Sequence, residues 1–349
     1  MKRDKGHKSF NWIVVVLAVL AAGLGSIVFW SVDMAMAAER VLEPDRIMTV
    51  ASEPKSFDPL LDEGENIRFP TRYRDKTESH PVAEADVYRG YLMLVNTAQP
   101  LPADFLPEDL VDPGDVADPM EASRFLVNKS TMQLNRTVSE WLAAMVSAAW
   151  TEEGIGGYLL QSGYRDYAYQ VMLHQRKVQE YRNMGYGDTE AKSAAAFWVA
   201  RPGESEHQSG LAMDLSSRAH PDLLLSYART AHGLWLAEHG WRFGFIVRYP
   251  EDKTEITGIG YEPWHIRYVG RPHSDLIHQK GWCLEEYIAF LSEQGGLTFR
   301  DGDGRIWQID YERPDGGAVQ IPADLPCTVS GDGAGGFIVT TLLEHDGAL

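Results

Sequence analysis

Two short segments of the chain hold side chains that metal-dependent hydrolysis requires. The segment Ser205–Asp214 contains His207 and ends in Asp214, and the segment 262–265 ends in His265. Two imidazoles and one carboxylate suit Zn²⁺, and a catalytic zinc site keeps an open position beside three protein ligands. We therefore predict one Zn²⁺ ion on His207, Asp214 and His265. A lone histidine is more often a structural residue, so the prediction depends on the neighbouring side chains.

A further carboxylate, that of Glu262, lies three residues before His265. Zinc lowers the pKa of water that it binds, and a nearby carboxylate can take the proton during attack. We predict that Glu262 is this general base. By itself a glutamate is more often a solvated surface residue. The Pro263-Trp264-His265 sequence that follows favours the catalytic interpretation.

Arg165, in the segment Ser162-Gly163-Tyr164-Arg165, is the predicted positive charge of the site. Peptide hydrolysis develops negative charge on the carbonyl oxygen, and a guanidinium can stabilise it. The same group could instead bind a substrate carboxylate through two hydrogen bonds. A structural role, in which Arg165 pairs with Asp166 or caps a turn, stays open at this point.

A serine hydrolase is the competing interpretation of the first segment, because Ser205 and Ser209 lie near a histidine and an aspartate. Many such enzymes carry the nucleophile on a Gly-x-Ser-x-Gly turn, and the members of a catalytic triad are usually far apart in sequence. Neither serine lies in such a turn, so we disfavour this alternative.

The composition is that of a globular protein, with 44% hydrophobic and 23% charged residues among 349. The formal net charge is -18, although Lys2, Arg3, Lys5 and Lys8 crowd the N-terminus. Binding to nucleic acid needs a basic surface. We therefore expect no nucleic-acid partner.

The N-terminus predicts the cellular location. Residues 12–32 are almost entirely apolar and have the length of about 20 residues that a membrane-spanning helix needs. The basic tail 1–11 is expected to stay in the cytoplasm, which predicts a single-pass membrane protein with an extracytoplasmic catalytic domain. A secreted protein is the alternative, since Ala35-Met36-Ala37 has the form of a signal-peptide cleavage site.

Helical and strand-like segments mix irregularly along the remainder, which predicts the α+β class. Residues 33–85 are interpreted as a juxtamembrane linker, and residues 86–292 as a catalytic domain with a small antiparallel sheet flanked by helices. Residues 295–349 contain short strand patterns between turns and predict a small β-rich appendage. The two cysteines, Cys283 and Cys327, could form a disulfide or remain separate thiols.

Apolar residues at helical spacing predict a helix from Leu134 to Trp150. Its apolar side would contain Trp141, Leu142, Met145, Val146 and Ala149. Further helices are predicted at about 166–184, 189–199 and 221–239, and strands at 158–161, 213–216, 243–249 and 264–269. Alternation along the second of these strands would direct Asp214 to one face.

The candidate site residues lie within a longer series of motifs, in order over about residues 90 to 280. These are Leu94-Val95-Asn96, Pro100-Leu101-Pro102, Ser162-Gly163-Tyr164-Arg165 with Gln170, and the segments 202–214, 244–250 and 257–268. Together they resemble the VanY-type D-alanyl-D-alanine carboxypeptidases, which are similar in their core to D-Ala-D-Ala dipeptidases and hedgehog-like domains. Ser209 and Asp166 depart from the pattern, since many relatives have Thr and Ser there.

The resemblance implies a zinc enzyme with the three ligands named above, Glu262 as general base and acid, and Arg165 on the substrate or its oxyanion. It also implies that Gln170, Ser205 and Trp264 line the binding cleft. The implied substrate is a peptidoglycan stem peptide ending in D-Ala-D-Ala. A related endopeptidase, a D-Ala-D-Ala dipeptidase and a non-catalytic wall-binding module are the alternatives.

Overall fold

The computed structural model describes residues 67–68, 76–116, 125–128 and 132–344. The predicted basic tail 1–11, the predicted membrane helix 12–32 and most of the predicted linker 33–85 lie outside these residues. Over the described ranges, no helix combines the length and the apolar character that crossing a bilayer would take.

The described residues contain fourteen strands, which form two five-stranded sheets and two strand pairs. The strands are β1 Ile67–Arg68, β2 Thr77–Pro81, β3 Leu110–Val111, β4 Phe125–Val127, β5 Leu134–Asn135, β6 Tyr158–Ser162, β7 Ala212–Ser217, β8 Phe245–Val247, β9 His265–Tyr268, β10 Gly296–Arg300, β11 Ile306–Glu312, β12 Ala318–Pro322, β13 Cys327–Gly331 and β14 Phe337–Glu344. The strand pairs are β3 with β5 and β2 with β12.

Eight α-helices lie within the same described ranges. They are α1 Pro113–Val116, α2 Arg136–Glu153, α3 Tyr167–Asn183, α4 Asp188–Ala196, α5 Ala231–His239, α6 Thr254–Thr257, α7 His273–Lys280 and α8 Leu284–Gln294. Short 3-10 helices occur at Glu84–Tyr88, Glu206–Ser209, Leu225–Arg229, Gly240–Phe243 and Glu251–Lys253. The predicted helix 221–239 is therefore a 3-10 turn followed by the shorter helix α5. Helices α7 and α8 have no counterpart in the sequence prediction.

The first five-stranded sheet has the order β4-β6-β7-β9-β8. Neighbours in it are antiparallel except β4 and β6, which run parallel. The sheet is thus mixed, and the prediction of an antiparallel sheet was wrong for this pair. A parallel pair needs a crossover connection, and helix α2 lies in the connection between β4 and β6. The mixture of helices and strands itself was predicted correctly.

Helix α2 matches the first predicted helix and shows why the chain is helical there. The Asn135 side chain caps its N-terminus by accepting bonds from the next backbone N–H groups, and Gly154 ends it in the left-handed conformation. Its buried side includes Leu142, Met145, Val146 and Ala149. Trp141, predicted on that side, is 39% exposed, because the buried stripe runs through Val138 and Leu142 instead.

The second five-stranded sheet has the order β1-β10-β11-β14-β13 and contains most of the predicted appendage. Its strands share a buried core with α8 and with Leu92, Leu94 and Val269 from residues 86–292. Strands β1 and β2, from the predicted linker, pair with β10 and β12. Cys283 and Cys327 do not form a disulfide with each other, which answers the question left open by the sequence.

Candidate metal centre and active site

The sheet register brings two of the predicted ligands together. Asp214 on β7 lies directly opposite His265 on β9 in the antiparallel ladder. Side chains of directly opposed residues project on the same face of a sheet. Asp214 Oδ1 accordingly lies 3.1 Å from His265 Nδ1.

The third predicted ligand, His207, reaches the same point from the 3-10 helix Glu206–Ser209 that precedes β7. Gly210 ends this helix at a φ of 71°, a left-handed conformation that glycine adopts without penalty. A Cβ atom at Gly210 would also lie 2.9 Å from Leu110 Cδ2. Both constraints favour glycine at the turn that directs the chain from His207 into β7.

A hydrogen bond fixes the tautomer of His207. Its Nδ1 lies 2.7 Å from the carbonyl oxygen of Gly163, which can only accept. The proton is therefore on Nδ1, and Nε2 keeps a lone pair 3.3 Å from Asp214 Oδ2. Burial, followed by the charge of Arg165, lowers the pKa of His207 to about 4. The ring is neutral near pH 7, as a metal ligand must be.

The ligand atoms of His207, Asp214 and His265 all lie within 4.8 Å of one another, and all three residues are buried. Although burial opposes the shift, His207, His265 and Arg165 hold the pKa of Asp214 well below its usual range. Burial likewise opposes protonation of His265, but the hydrogen bond to Asp214 and the nearby carboxylate of Glu206 raise its pKa to about 9. A positive charge is thus favoured where Asp214 meets His265, and these residues could hold a divalent metal ion.

Glu262 lies at the edge of this cluster. Its Oε2 is 3.7 Å from His265 Nδ1, and the residue is 8% exposed. Burial raises the pKa of Glu262 to about 8. A carboxyl whose pKa lies near neutrality can both accept and return a proton, as general acid–base catalysis requires.

Arg165 also joins the cluster, which answers the question of its partner. Its Nη2 donates to Asp214 Oδ2 at 2.8 Å and lies 3.0 Å from His207 Nε2. Its Nε donates to Ser162 Oγ at 2.8 Å. Asp166 does not pair with it and instead caps helix α3, where it accepts from the Tyr169 N–H at 2.6 Å.

The three residues predicted to line the cleft are all largely buried. Gln170 accepts from Arg165 Nη1 at 3.4 Å and donates to the Ala200 carbonyl at 2.8 Å, so its amide holds the guanidinium. Ser205 is 4% exposed and precedes the 3-10 helix that carries His207. Trp264 is 8% exposed and packs in the main apolar core. Substrate contact by these residues stays a prediction.

Sequence reasoning gave no role to Glu206, Arg248 and Arg267, all of them 0% exposed. Glu206 neighbours a ligand, and each arginine lies in or just after an apolar strand. A charged residue within an apolar strand is seldom fully buried without a partner. A charged residue within or beside a buried strand was therefore the sequence feature that could have indicated this buried network.

Comparison with known proteins agrees with this geometry. The family model described as VanY, D-alanyl-D-alanine carboxypeptidase, matches residues 131–271, which include every residue of the cluster. A D-alanyl-D-alanine carboxypeptidase of Enterococcus faecium is 33% identical over 266 residues, covering 76% of this chain and 80% of the relative. One from Enterococcus faecalis is 38% identical over 207 residues, covering 59% of this chain and 68% of the relative.

Among solved structures, the vancomycin resistance D,D-dipeptidase VanXYg, in complex with a D-Ala-D-Ala phosphinate analog, is similar with a TM-score of 0.61. The sequences are 26% identical, and the match covers 77% of this chain and all of that chain. Sequence and fold therefore agree. The chain belongs to the VanY family of D-alanyl-D-alanine carboxypeptidases.

Proposed function

We propose that this protein is a zinc-dependent carboxypeptidase that removes the terminal D-alanine from peptidoglycan pentapeptide stems. The observation that carries the proposal is the convergence of two histidine nitrogens and one carboxylate within 4.8 Å, with Glu262 and Arg165 beside them. The family and the relatives named D-alanyl-D-alanine carboxypeptidase support the choice of bond.

The donor set fits Zn²⁺. Two neutral imidazole nitrogens and one carboxylate oxygen are common zinc ligands, and three of them are typical of catalytic rather than structural sites. His207 would bind through Nε2, because its Nδ1 donates to Gly163. His265 would bind through Nδ1, which faces Asp214. When bound, the ion supplies a Lewis acid that polarises a carbonyl group and acidifies water.

Glu262 moves the proton in the proposed reaction. Its carboxylate takes a proton from the attacking water and returns it to the nitrogen of the leaving D-alanine. The distance of 3.7 Å between its Oε2 and His265 Nδ1 supports this role.

Arg165 stabilises negative charge in the same step. Attack by water converts the planar carbonyl into a tetrahedral centre with an anionic oxygen, and a preorganised cation lowers the energy of that state. Gln170 and Ser162 hold the guanidinium, through contacts of 3.4 Å to Nη1 and 2.8 Å to Nε. Because its orientation is fixed in advance, little reorganisation is needed when charge develops.

We further propose that the reaction takes place outside the cytoplasm, with the chain held in the membrane by residues 12–32. The support is the apolar run itself and the basic residues before it. Peptidoglycan stems are found outside the cytoplasmic membrane, which agrees with this location. Membrane fractionation of cells that express the full chain, compared with a chain lacking residues 1–37, tests the proposal: only the full chain should sediment with membranes.

The activity is tested with the purified full-length protein, loaded with zinc and incubated with a stem pentapeptide ending in D-Ala-D-Ala. Mass spectrometry of the products should show loss of a single alanine. Glu262→Gln should lower kcat by about 10²–10⁴-fold. Glu255→Gln, the same change at an exposed glutamate, is the matched control and should leave kcat unchanged.

Two further substrates and the position of the cut separate the alternatives. A pentapeptide ending in L-alanine should be resistant, and free D-Ala-D-Ala should be cleaved poorly if the stem is required. An internal cut in the pentapeptide would indicate an endopeptidase. Full activity of Glu262→Gln would disprove the proposed role of its carboxylate, and stem binding without any product would indicate a wall-binding module.

A further inference from the structure

A buried network of four charged side chains lies behind His265, on the side away from Asp214. Glu206, Arg248 and Arg267 have side chains that are 0% exposed, and Glu285 of helix α8 is 13% exposed. Removing charges from water costs several kcal/mol for each ion, and a buried ion pair often contributes little net stability. The network therefore calls for a functional explanation.

The two arginines bind the same oxygen of Glu206. Arg248 Nε donates to Oε1 at 2.7 Å, and Arg267 Nη1 donates to Oε1 at 2.6 Å. The two Nη groups of Arg248 are taken by Glu285, at 2.8 and 2.6 Å. The other nitrogens of Arg267 donate to three backbone carbonyls, those of Tyr91, Met93 and Tyr268. Neither guanidinium therefore bonds the second oxygen of Glu206.

That second oxygen, Oε2, is buried without a hydrogen-bond partner among the described residues, and so is Nε2 of His265. The two atoms face each other at 3.7 Å. A closure of roughly 0.5–1 Å would bring them into the hydrogen-bond range of about 2.7–3.2 Å. Buried polar atoms are nearly always paired, and a carboxylate oxygen and a ring N–H are complementary as acceptor and donor.

We propose that Glu206 is a positioning residue for His265: its Oε2 accepts a hydrogen bond from Nε2–H and so reserves Nδ1 for the metal. A neutral imidazole carries its proton on one nitrogen, and the bond made by that nitrogen decides which lone pair is free. Histidine ligands generally donate their second N–H to such a partner. The inference rests on the proposed function, because it presumes a metal ion at Nδ1.

The first test compares two variants that remove one carboxylate each from this network. In Glu206→Gln the arginines hold the amide oxygen, so the NH₂ faces Nε2 and stabilises the wrong tautomer. Zinc affinity, measured on the full-length protein by competition with a chromophoric chelator, should fall about 10–100-fold. Glu285→Gln is the matched control: it also contacts Arg248 but not His265, and its zinc affinity should stay within about threefold of the unaltered protein's.

A second measurement needs no variant and decides the matter if Glu206→Gln does not fold. Nitrogen-15 NMR of the zinc-loaded, histidine-labelled protein should show the His265 proton on Nε2. A proton on Nδ1 would overturn the inference and the proposed binding of the metal through Nδ1. Equal zinc affinities for Glu206→Gln and Glu285→Gln would overturn the inference alone. Failure of the unaltered protein to bind zinc would overturn the proposed function together with it.

Discussion

Asp214 and His265 are directly paired across β7 and β9, although 51 positions separate them in the chain. The distance between these two predicted metal ligands is therefore set by strand pairing and not by the conformation of a flexible loop. Ligands on regular elements are held more precisely than ligands on loops. A one-residue slip of this register would send one side chain to the opposite face and dismantle the cluster.

Replacing Arg165 by lysine should lower kcat by about 10²–10³-fold, because an ammonium group cannot make the same set of directed bonds. Zinc content should stay unchanged, since Arg165 is not a ligand. Steady-state kinetics and metal analysis of the purified protein measure both. Arg176→Lys, at an exposed position of α3, is the control. An increase in KM with unchanged kcat would instead indicate that Arg165 binds the substrate carboxylate.

Zinc affinity should rise with pH. In the metal-free protein burial opposes protonation of His265, but the hydrogen bond to Asp214 and the nearby carboxylate of Glu206 raise its pKa to about 9. Below that pH the ion must displace a proton from the ring, so the apparent Kd should fall by up to about tenfold per pH unit. Chelator competition between about pH 6 and pH 8 measures the slope. An affinity independent of pH over this interval would contradict the assignment of His265 as a ligand.

His273 should make the fold sensitive to acid. It is buried between Tyr287 Oη, 2.7 Å from its Nδ1, and Thr340 Oγ1, 3.1 Å from its Nε2. Burial lowers its pKa from 6.5 to about 3. Between these values the unfolded state binds the extra proton, so stability is lost as pH falls, by up to about 1.4 kcal/mol per pH unit.

The contribution of His273 can be isolated by denaturant unfolding of the metal-free protein at several pH values. Between about pH 3 and pH 6.5, unfolding of His273→Gln should take up about one proton fewer than unfolding of the unaltered protein. Its free energy of unfolding should therefore depend less on pH. The exposed His220→Gln should keep the slope of the unaltered protein. Identical slopes for all three proteins would show that His273 is not held neutral by the fold.

Gly163→Ala should weaken both the fold and the metal site. A Cβ atom there would clash with the carbonyl oxygen of Gln133, and such overpacking costs about 1–3 kcal/mol. The carbonyl that orients His207 would move, so zinc affinity should fall as well. Gly154→Ala is the control, because nothing lies near its Cβ and only its φ of 68° is strained. Gly154→Ala should lower the free energy of unfolding by about 1–2 kcal/mol and leave the zinc affinity unchanged.

Part of the fold could be predicted from local patterns. Helix α2 was predicted because its apolar residues recur at helical spacing within one stretch of sequence. Strands β1 and β2 were missed because each exists only by pairing with a strand more than two hundred residues further on. Helices α7 and α8 were missed as well, although Cys283 to Glu286 form a capping box at the start of α8.

The sequence by itself determined which residues are candidates for the chemistry of this protein. His207, Asp214 and His265 could be chosen as ligands, and Glu262 as the base, because residue type and near neighbours set what a side chain can bind or accept. Only the tertiary structure decided how these groups are held. It did so through contacts between residues that are distant in the chain: β7 pairs with β9, Arg165 bonds Asp214, and Glu206 Oε2 faces His265 Nε2. Such contacts depend on strand register and burial, which no local pattern specifies.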